Sequence, residues 1–284
     1  MHACIVAVIT ALDFDHVSHD YATPDGSTYR VIDDVSLAIS AGAFVALVGP
    51  SGCGKSTLLN LAAGLLIPTT GKIRIEGEEL GGINRHATYM FQEDALLPWK
   101  NVRGNVALGL ALAGTDRANA EIRANEWLAR VGLAAFASHY PSQLSGGMRK
   151  RVAMAQNWIL ERSQVLMDEP FSALDVHTRL LMETELLALW DLPPDQGLGS
   201  RNGKRTVIFV THDLEEAIAL ADEVVILSAG PASRVVARHA INLERPRNLL
   251  DLRTSSAFEA LYRSIWSVLR EEVVKSQQTA AHRA

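Results

Sequence analysis

Residues 49–57 read Gly49-Pro50-Ser51-Gly52-Cys53-Gly54-Lys55-Ser56-Thr57, a glycine-rich stretch that ends in three polar side chains. They follow the apolar run Ala43-Phe44-Val45-Ala46-Leu47-Val48, which is typical of a buried strand, and they lead into helical sequence over residues 55–65. A strand, a glycine-rich loop and a helix in this order match the phosphate-binding loop. A chance glycine-rich turn is the alternative, and the strand and helix on either side argue against it.

This loop predicts a nucleotide-binding site formed by residues 49–57. Its glycines let backbone N–H groups turn inward on the phosphates, and the positive end of the helix dipole faces the same charge. Lys55 is predicted to reach the β- and γ-phosphates of ATP and so to act in catalysis. The Ser56 hydroxyl is predicted to hold Mg²⁺.

A second strand-like run, Val165-Leu166-Met167, ends in the adjacent carboxylates Asp168 and Glu169. Burying two acids at a strand end is costly unless a metal ion or a water molecule needs them. Asp168 is therefore predicted to join the Mg²⁺ shell, and Glu169 to act as the general base on the water that attacks the γ-phosphate. Taken alone, such a pair is more often a helix cap or a solvated turn, so this prediction depends on the phosphate loop.

A third candidate site is the segment Leu144-Ser145-Gly146-Gly147-Met148, which opens a helix rich in basic residues. Small residues and free N–H groups at a helix N-terminus suit a γ-phosphate. One chain needs no second cradle for a phosphate that it already holds. We therefore expect a two-fold dimer in which each copy lends this segment to the ATP held by the other. A Ser-Gly-Gly turn that only caps its own helix is the alternative.

Strand patterns occur on both sides of these motifs. Residues 12–17 and 29–39 are β-rich and are joined by Pro24-Asp25-Gly26-Ser27, which predicts an antiparallel lobe. Later strand patterns, at residues 165–167, 206–210 and 224–227, alternate with helices. This alternation predicts a mostly parallel sheet covered on both faces.

Helical spacing dominates residues 94–160 and predicts a helical subdomain inserted into the sheet. The main domain is predicted to span residues 11–240, followed by a short helical extension at 241–284. A capping box at Ser256 and Glu259 is predicted to start the last helix, whose apolar stripe should dock on the same domain. The Pro- and Gly-containing stretch at 191–205 predicts an exposed loop.

The order of these motifs resembles that of the nucleotide-binding subunit of ATP-binding-cassette (ABC) transporters, over roughly residues 12–227. The resemblance implies an α/β P-loop NTPase fold of the ATP-binding-cassette type, with a mostly parallel sheet core, an antiparallel β lobe and an inserted helical subdomain. It implies ATP and Mg²⁺ as cofactors and a head-to-tail dimer of two copies. The implied activity is ATP hydrolysis coupled to transport through a separate membrane permease.

The same resemblance implies roles for residues outside the motifs above. Tyr21 is expected to stack on adenine, with Tyr29 as the alternative. Gln92 is expected to sense Mg²⁺ and the attacking water and to couple the site to the permease. Asp175 matches a loop that crosses the dimer interface, and His212 matches the histidine that contacts the γ-phosphate.

Three longer runs resemble the nitrate, sulfonate and taurine importer group: Phe91-Gln92-Glu93-Asp94-Ala95-Leu96-Leu97-Pro98-Trp99, residues 140–148 and residues 168–175. This implies a solute-binding protein in the periplasm and a place at the cytoplasmic face of a bacterial inner membrane, held by the permease. An importer ATPase for another small organic solute is one alternative. A soluble ABC ATPase that acts on nucleic acid or ribosomes is another. Gln164 stands where the family is usually apolar, which implies a strand start that is more exposed or hydrogen-bonded.

Composition agrees with a globular protein and narrows the partners. The 284 residues are 48% hydrophobic and 21% charged. A net charge of −5 does not favour a nucleic-acid partner. The two cysteines, Cys4 and Cys53, form no disulfide framework, which indicates a reducing compartment. Because no segment approaches membrane length, attachment to a bilayer is expected to come from another protein.

Overall fold

The strands form two sheets within residues 9–191 and 204–281, the part of the chain that this computed structural model describes. In chain order the strands are β1 (Thr10–Ala22), β2 (Thr28–Ser40), β3 (Phe44–Val48), β4 (Thr70–Ile75), β5 (Glu78–Glu79), β6 (Ala87–Met90), β7 (Gln164–Asp168), β8 (Thr206–Val210), β9 (Glu223–Leu227) and β10 (Val235–Ala240). One sheet has the order β2-β1-β4-β5, and the other has the order β10-β9-β3-β8-β7-β6.

The α-helices cover the larger sheet and form the insertion between β6 and β7. In chain order they are α1 (Lys55–Ala62), α2 (Val102–Val106), α3 (Leu108–Leu112), α4 (Arg117–Arg130), α5 (Gly146–Trp158), α6 (Val176–Trp190), α7 (Leu214–Leu220), α8 (Leu249–Leu252) and α9 (Ser256–Ala281). Helices α2 to α5 occupy most of the predicted helical subdomain, together with short 3₁₀ turns at Ala134–Phe136 and Pro141–Gln143.

The smaller sheet is the antiparallel lobe that the sequence predicts. β1 pairs antiparallel with β2 and β4. In the predicted turn between β1 and β2, the Asp25 carboxylate accepts a hydrogen bond from the Ser27 N–H at 3.1 Å. Strand β4 was not predicted, because Gly71 and two charged residues interrupt its strand pattern.

The larger sheet is parallel except at one edge, where β10 runs antiparallel to β9. All five residues of β3 are buried, as a strand covered on both faces requires. The predicted α/β fold with a mostly parallel core is therefore confirmed. Strands β6 and β10 were not predicted, because β6 is short and β10 is an edge strand without a fully buried residue.

Helix α1 ends at Ala62, three residues before the predicted end at residue 65. Gly64 adopts a left-handed conformation with φ of +69°, and a Cβ there would lie 1.9 Å from the Gly82 carbonyl oxygen. Only glycine fits this close approach, so the backbone leaves the helix here.

The C-terminal helix α9 docks on the main core, as predicted, through Phe258, Ile265 and Leu269. It begins at Ser256, one residue earlier than a cap at Ser256 predicts. The Ser255 hydroxyl accepts the Phe258 N–H at 3.2 Å, so Ser255 caps the helix and the predicted capping box at Ser256 is wrong. Helices in the described ranges are all too short or too polar to cross a bilayer. Residues 192–203 of the predicted loop at 191–205, and the first eight residues of the chain, lie outside the described residues.

Candidate functional site

The phosphate loop joins the end of β3 to the start of α1. Gly54 precedes the helix with φ of +95°, and a Cβ there would lie 2.7 Å from side-chain carbons of both Val31 and Ile32. The lobe strand β2 therefore packs directly against the loop, and a larger residue would push the two apart. Ser51, Gly52 and Ser56 are the exposed members of the loop, and they leave its outer surface open.

Lys55 bends back over the loop that it follows. Its buried Nζ donates to the carbonyl oxygens of Gly49 at 2.9 Å and of Pro50 at 3.0 Å. The Cys53 thiol points into the core with no exposed surface, and burial raises its pKa. Cys53 can therefore offer a phosphate only its backbone N–H. Its alkylation would be a poor probe of nucleotide binding, because the fold already shields the thiol.

Asp168 lies at the C-terminal end of β7, next to the first turn of α1. The Ser56 hydroxyl donates to its Oδ1 at 2.9 Å, and the Tyr89 hydroxyl lies 3.4 Å from its Oδ2. Burial raises the pKa of Asp168, the bond from Ser56 opposes this, and the adjacent charge of Glu169 adds to it. A hydroxyl and a carboxylate side by side are the oxygen donors that Mg²⁺ prefers, and a divalent cation would keep this half-buried acid ionised.

Three predicted catalytic side chains meet at one oxygen atom. Oε2 of Glu169 lies 3.2 Å from Nε2 of Gln92 and 3.2 Å from Nδ1 of His212. The Glu169 backbone has a φ of +44°, which is unusual for a residue other than glycine, and its N–H donates to the Val210 carbonyl at 3.0 Å. Such outliers occur where surrounding structure fixes a functional side chain. β7 and β8 thus bring their C-terminal ends together around this carboxylate.

Tyr21 and Tyr29 are the two candidates for adenine stacking, and they lie opposite each other in the β1–β2 register. Both rings are more than one-third exposed. The Tyr21 hydroxyl lies 3.4 Å from Oγ1 of Thr57 in the phosphate loop, and the edge of its ring packs on His19. This contact favours Tyr21 over Tyr29 as the residue beside a bound base.

Replacing Tyr21 by alanine is expected to weaken ATP binding by roughly 5- to 150-fold, since a base–aromatic stack contributes about 1–3 kcal/mol. Tyr21→Trp should retain affinity, and Tyr29→Ala is the matched control. Calorimetric titration of each variant with ATP measures the effect. A larger loss for Tyr29→Ala than for Tyr21→Ala would reverse the assignment.

The Leu144–Met148 segment lies on the helical subdomain, at the start of α5. Ser145 is the N-cap, and its exposed hydroxyl accepts the Met148 N–H at 3.3 Å. Within the described residues, this segment shares no hydrogen bond with Lys55, Asp168 or Glu169. The structure therefore gathers the predicted site into two groups, with the phosphate loop and the carboxylates in one and this segment in the other.

A charged cluster that the sequence did not predict connects the first turn of α5 to the Gln92 loop. The buried Lys150 donates to the Gln92 carbonyl oxygen at 2.7 Å, and its Nζ lies 3.2 Å from Oδ1 of Asp94. Arg149 donates to the other Asp94 oxygen at 3.2 Å. Basic residues after the segment were visible in the sequence, but their partner lies over 50 residues earlier.

Asp175, the predicted dimer-loop residue, caps α6 in this structure. Its carboxylate accepts the Thr178 N–H at 3.0 Å. The side chain is exposed, and the neighbouring Val176 is 80% exposed. An aliphatic side chain so open to solvent is compatible with a contact to another chain.

Comparisons with known proteins agree with this arrangement. A family profile described as ABC transporter matches residues 32–172. The chain is 43% identical over 211 residues to the taurine import ATP-binding protein TauB of Yersinia pestis, covering 74% of this chain and 78% of TauB. It is 38% identical over 263 residues to the nitrate import ATP-binding protein NrtC of Synechococcus elongatus, covering 92% of this chain and 38% of NrtC.

A solved structure shares the fold. The ATP-binding cassette MJ0796, in a dimeric post-hydrolysis state bound to ADP and Pi, aligns with a TM-score of 0.67 and 28% identity. The alignment covers 82% of this chain and all of that one. Profile, relatives and fold lead to the same conclusion: the chain belongs to the ABC transporter family and is an ATP-binding subunit, an ATPase coupled to transport.

Proposed function

We propose that this ATPase energises import of a small solute of the nitrate, sulfonate or taurine type through a separate membrane permease. Its 43% identity to a taurine import ATP-binding protein carries this proposal. The similarity to a nitrate import protein supports the same solute class. In this proposal a periplasmic binding protein delivers the solute, and the permease holds the ATPase at the cytoplasmic face of the inner membrane.

In the proposed mechanism, the cluster at the ends of β3, β7 and β8 carries out the chemistry. Lys55 releases the Gly49 and Pro50 carbonyls and turns to the β- and γ-phosphates. Ser56 and Asp168, with Gln92 nearby, would hold Mg²⁺, which when bound would supply positive charge to offset that of the phosphates. Glu169 takes the proton of the attacking water, while His212 contacts the γ-phosphate.

The second half of the site comes from another copy of the chain. We assign Leu144–Met148 of one copy to the ATP held on the phosphate loop of the other. The exposed Ser145 supports this assignment, as does the lack of any hydrogen bond, within the described residues, between the segment and Lys55, Asp168 or Glu169. The solved cassette MJ0796 is dimeric, which supports a paired arrangement. ATP then joins the two copies, and hydrolysis separates them.

The permease is proposed to dock on the groove that residues 99–101 form with α2, α3 and α4. This groove has a volume of about 530 Å³ and is lined by Trp99, Lys100, Arg103 and Tyr140, among others. Trp99 is 71% exposed and Tyr140 is 47% exposed. Aromatic side chains open to solvent are enriched at protein interfaces. Since the chain runs directly from Gln92 to Trp99, a displacement of Trp99 by the permease would be transmitted to Gln92 in the catalytic cluster.

Uptake of labelled taurine and nitrate by cells that lack the gene tests the proposal. Wild-type protein should restore uptake of one of these solutes, and Glu169→Gln should not. Affinity purification from membranes should recover a multi-span permease, and Trp99→Ala should weaken this association. Restored uptake of another organic solute would change only the solute class. Recovery of ribosomes or nucleic acid without a permease would support the soluble alternative.

A further inference from the structure

A buried glutamate contacts the loop that carries His212. Glu216 lies in the first turn of α7 and is only 4% exposed. The Thr211 hydroxyl donates to its Oε2 at 2.6 Å, and the other carboxyl oxygen is buried without a hydrogen-bond partner among the described residues. Burying a carboxyl that has one oxygen without a partner is costly in free energy. We therefore asked what its bond to Thr211 stabilises.

That contact closes the loop on both sides of His212. The same Thr211 hydroxyl accepts the Asp213 N–H at 3.0 Å, so one oxygen joins the residue before the histidine to the residue after it. Asp213 in turn caps α7 through the N–H groups of Glu215 and Glu216. Because the Thr211 hydroxyl donates its proton to the Glu216 carboxyl, a lone pair of the same oxygen stays directed at the Asp213 N–H. Rotation of the hydroxyl would break the bond from the Asp213 N–H, and the Glu216 carboxyl prevents this rotation.

Charged groups from three elements face this carboxyl. Glu183 and Arg179 come from α6, Asp213 lies beside it, and Arg253 of the C-terminal extension pairs with Glu183 at 2.7 Å. Burial raises the pKa of Glu216 to about 8 and that of Glu183 to about 7. Arg179 donates to Asp213 at 3.0 Å and so joins α6 to the same loop.

We propose that Glu216 is a positioning residue for ATP hydrolysis, which acts through the Thr211 hydroxyl to hold His212 against Glu169. The inference rests on the proposed role of His212 at the γ-phosphate. The imidazole lies 3.2 Å from the Glu169 carboxylate and is more than half exposed, so its own packing does not fix it. The loop that carries His212 must therefore fix the position of the imidazole.

Six single variants and one double variant test the inference, and His212→Ala serves as the reference for loss of the histidine itself. Thr211→Val removes only the hydroxyl, and Glu216→Ala removes only the acceptor. Each substitution should lower kcat by about 10- to 100-fold, since small misplacement of a catalytic group has effects of this size. KM for ATP should stay within about twofold, because neither residue touches the nucleotide. Glu216→Gln and Thr211→Ser should recover most of kcat, since a carbonyl acceptor and a hydroxyl are restored. Combining Thr211→Val with Glu216→Ala should add little to either change. Glu215→Ala, the exposed neighbour on the same turn, is the matched control.

A second readout reports Glu216 itself. The raised pKa means that the folded protein holds this proton more tightly than the unfolded chain does. Stability therefore falls as pH rises from about 4.5 through about 8. Glu216→Gln cannot ionise, so its thermal midpoint should fall less than that of the wild type over this range. An equal fall in both proteins would show that the Glu216 carboxyl does not gain its charge over this range.

The outcomes separate this inference from the role of His212. If His212→Ala abolishes turnover while Thr211→Val and Glu216→Ala keep the full kcat, the inference fails and the role of His212 stands. If His212→Ala hydrolyses ATP at the wild-type rate, both fail. A rise in KM without loss of kcat would also overturn the inference, because it would indicate a role in nucleotide binding.

Discussion

Replacing Glu169 by glutamine is expected to stop ATP turnover and to trap a dimer that holds ATP. The amide has nearly the shape of the carboxylate and can still contact Gln92 and His212, so the φ of +44° and the surrounding bonds should persist. It cannot take a proton from water, and loss of a general base lowers kcat by about 10²- to 10⁴-fold. ATP would remain between the two copies because nothing removes its γ-phosphate.

Light scattering after size-exclusion chromatography measures this result. Glu169→Gln with Mg²⁺ and ATP should have a scattering mass twice that of the monomer, and the same protein with ADP should have the monomer mass. Lys55→Ala combined with Glu169→Gln is the control, since a chain that cannot hold the phosphates should stay monomeric even with ATP. Hydrolysis at the wild-type rate by Glu169→Gln would remove this residue from its proposed role.

Local sequence predicted the parts of this protein that local sequence determines. The β3 run is apolar throughout and the loop after it is rich in glycine, so a strand, a loop and the start of α1 at Lys55 followed from adjacent residues. The strand that ends in Asp168 followed in the same way. Strands such as β6 and β10 did not, because pairing with a neighbour, rather than their own pattern, makes them strands.

The contacts that organise the site join residues far apart in the sequence, and the sequence alone could not predict them. Gln164 is an example of a residue whose contacts the sequence leaves open. A polar residue at a buried strand start could be exposed or hydrogen-bonded, and the structure selects the second, with its amide donating to the Ala11 carbonyl at 2.9 Å and accepting from Asn84 at 3.0 Å. The same holds for Lys150 and Glu216, whose partners depend on the packing of whole elements. Motifs identify the reacting groups, and tertiary structure decides what holds them in place.

Two inactive variants are expected to recover activity when they are mixed, if each ATP site is shared between copies. Lys55→Ala damages the phosphate loop, and Ser145→Arg puts a long charged side chain into the Leu144–Met148 segment. Each alone should lose at least about 100-fold in kcat, as removal of a preorganised charge-stabilising group does. A mixed dimer has one site damaged twice and one site intact, because the intact phosphate loop of one copy meets the intact segment of the other. With random pairing of equal amounts, half of the dimers are mixed and each has one of two sites, so activity should approach about a quarter of the wild-type value.

The matched control mixes Lys55→Ala with the double variant Lys55→Ala/Ser145→Arg, a pair that contains no intact phosphate loop and should stay inactive. Circular dichroism should show that Ser145→Arg keeps its helices, since losing the N-cap of α5 costs only about 1 kcal/mol. If tagged pull-down shows that mixed dimers form and yet no activity returns, the two halves of the site do not meet across the dimer. The segment would then only cap α5, and the ATP site would lie within a single chain.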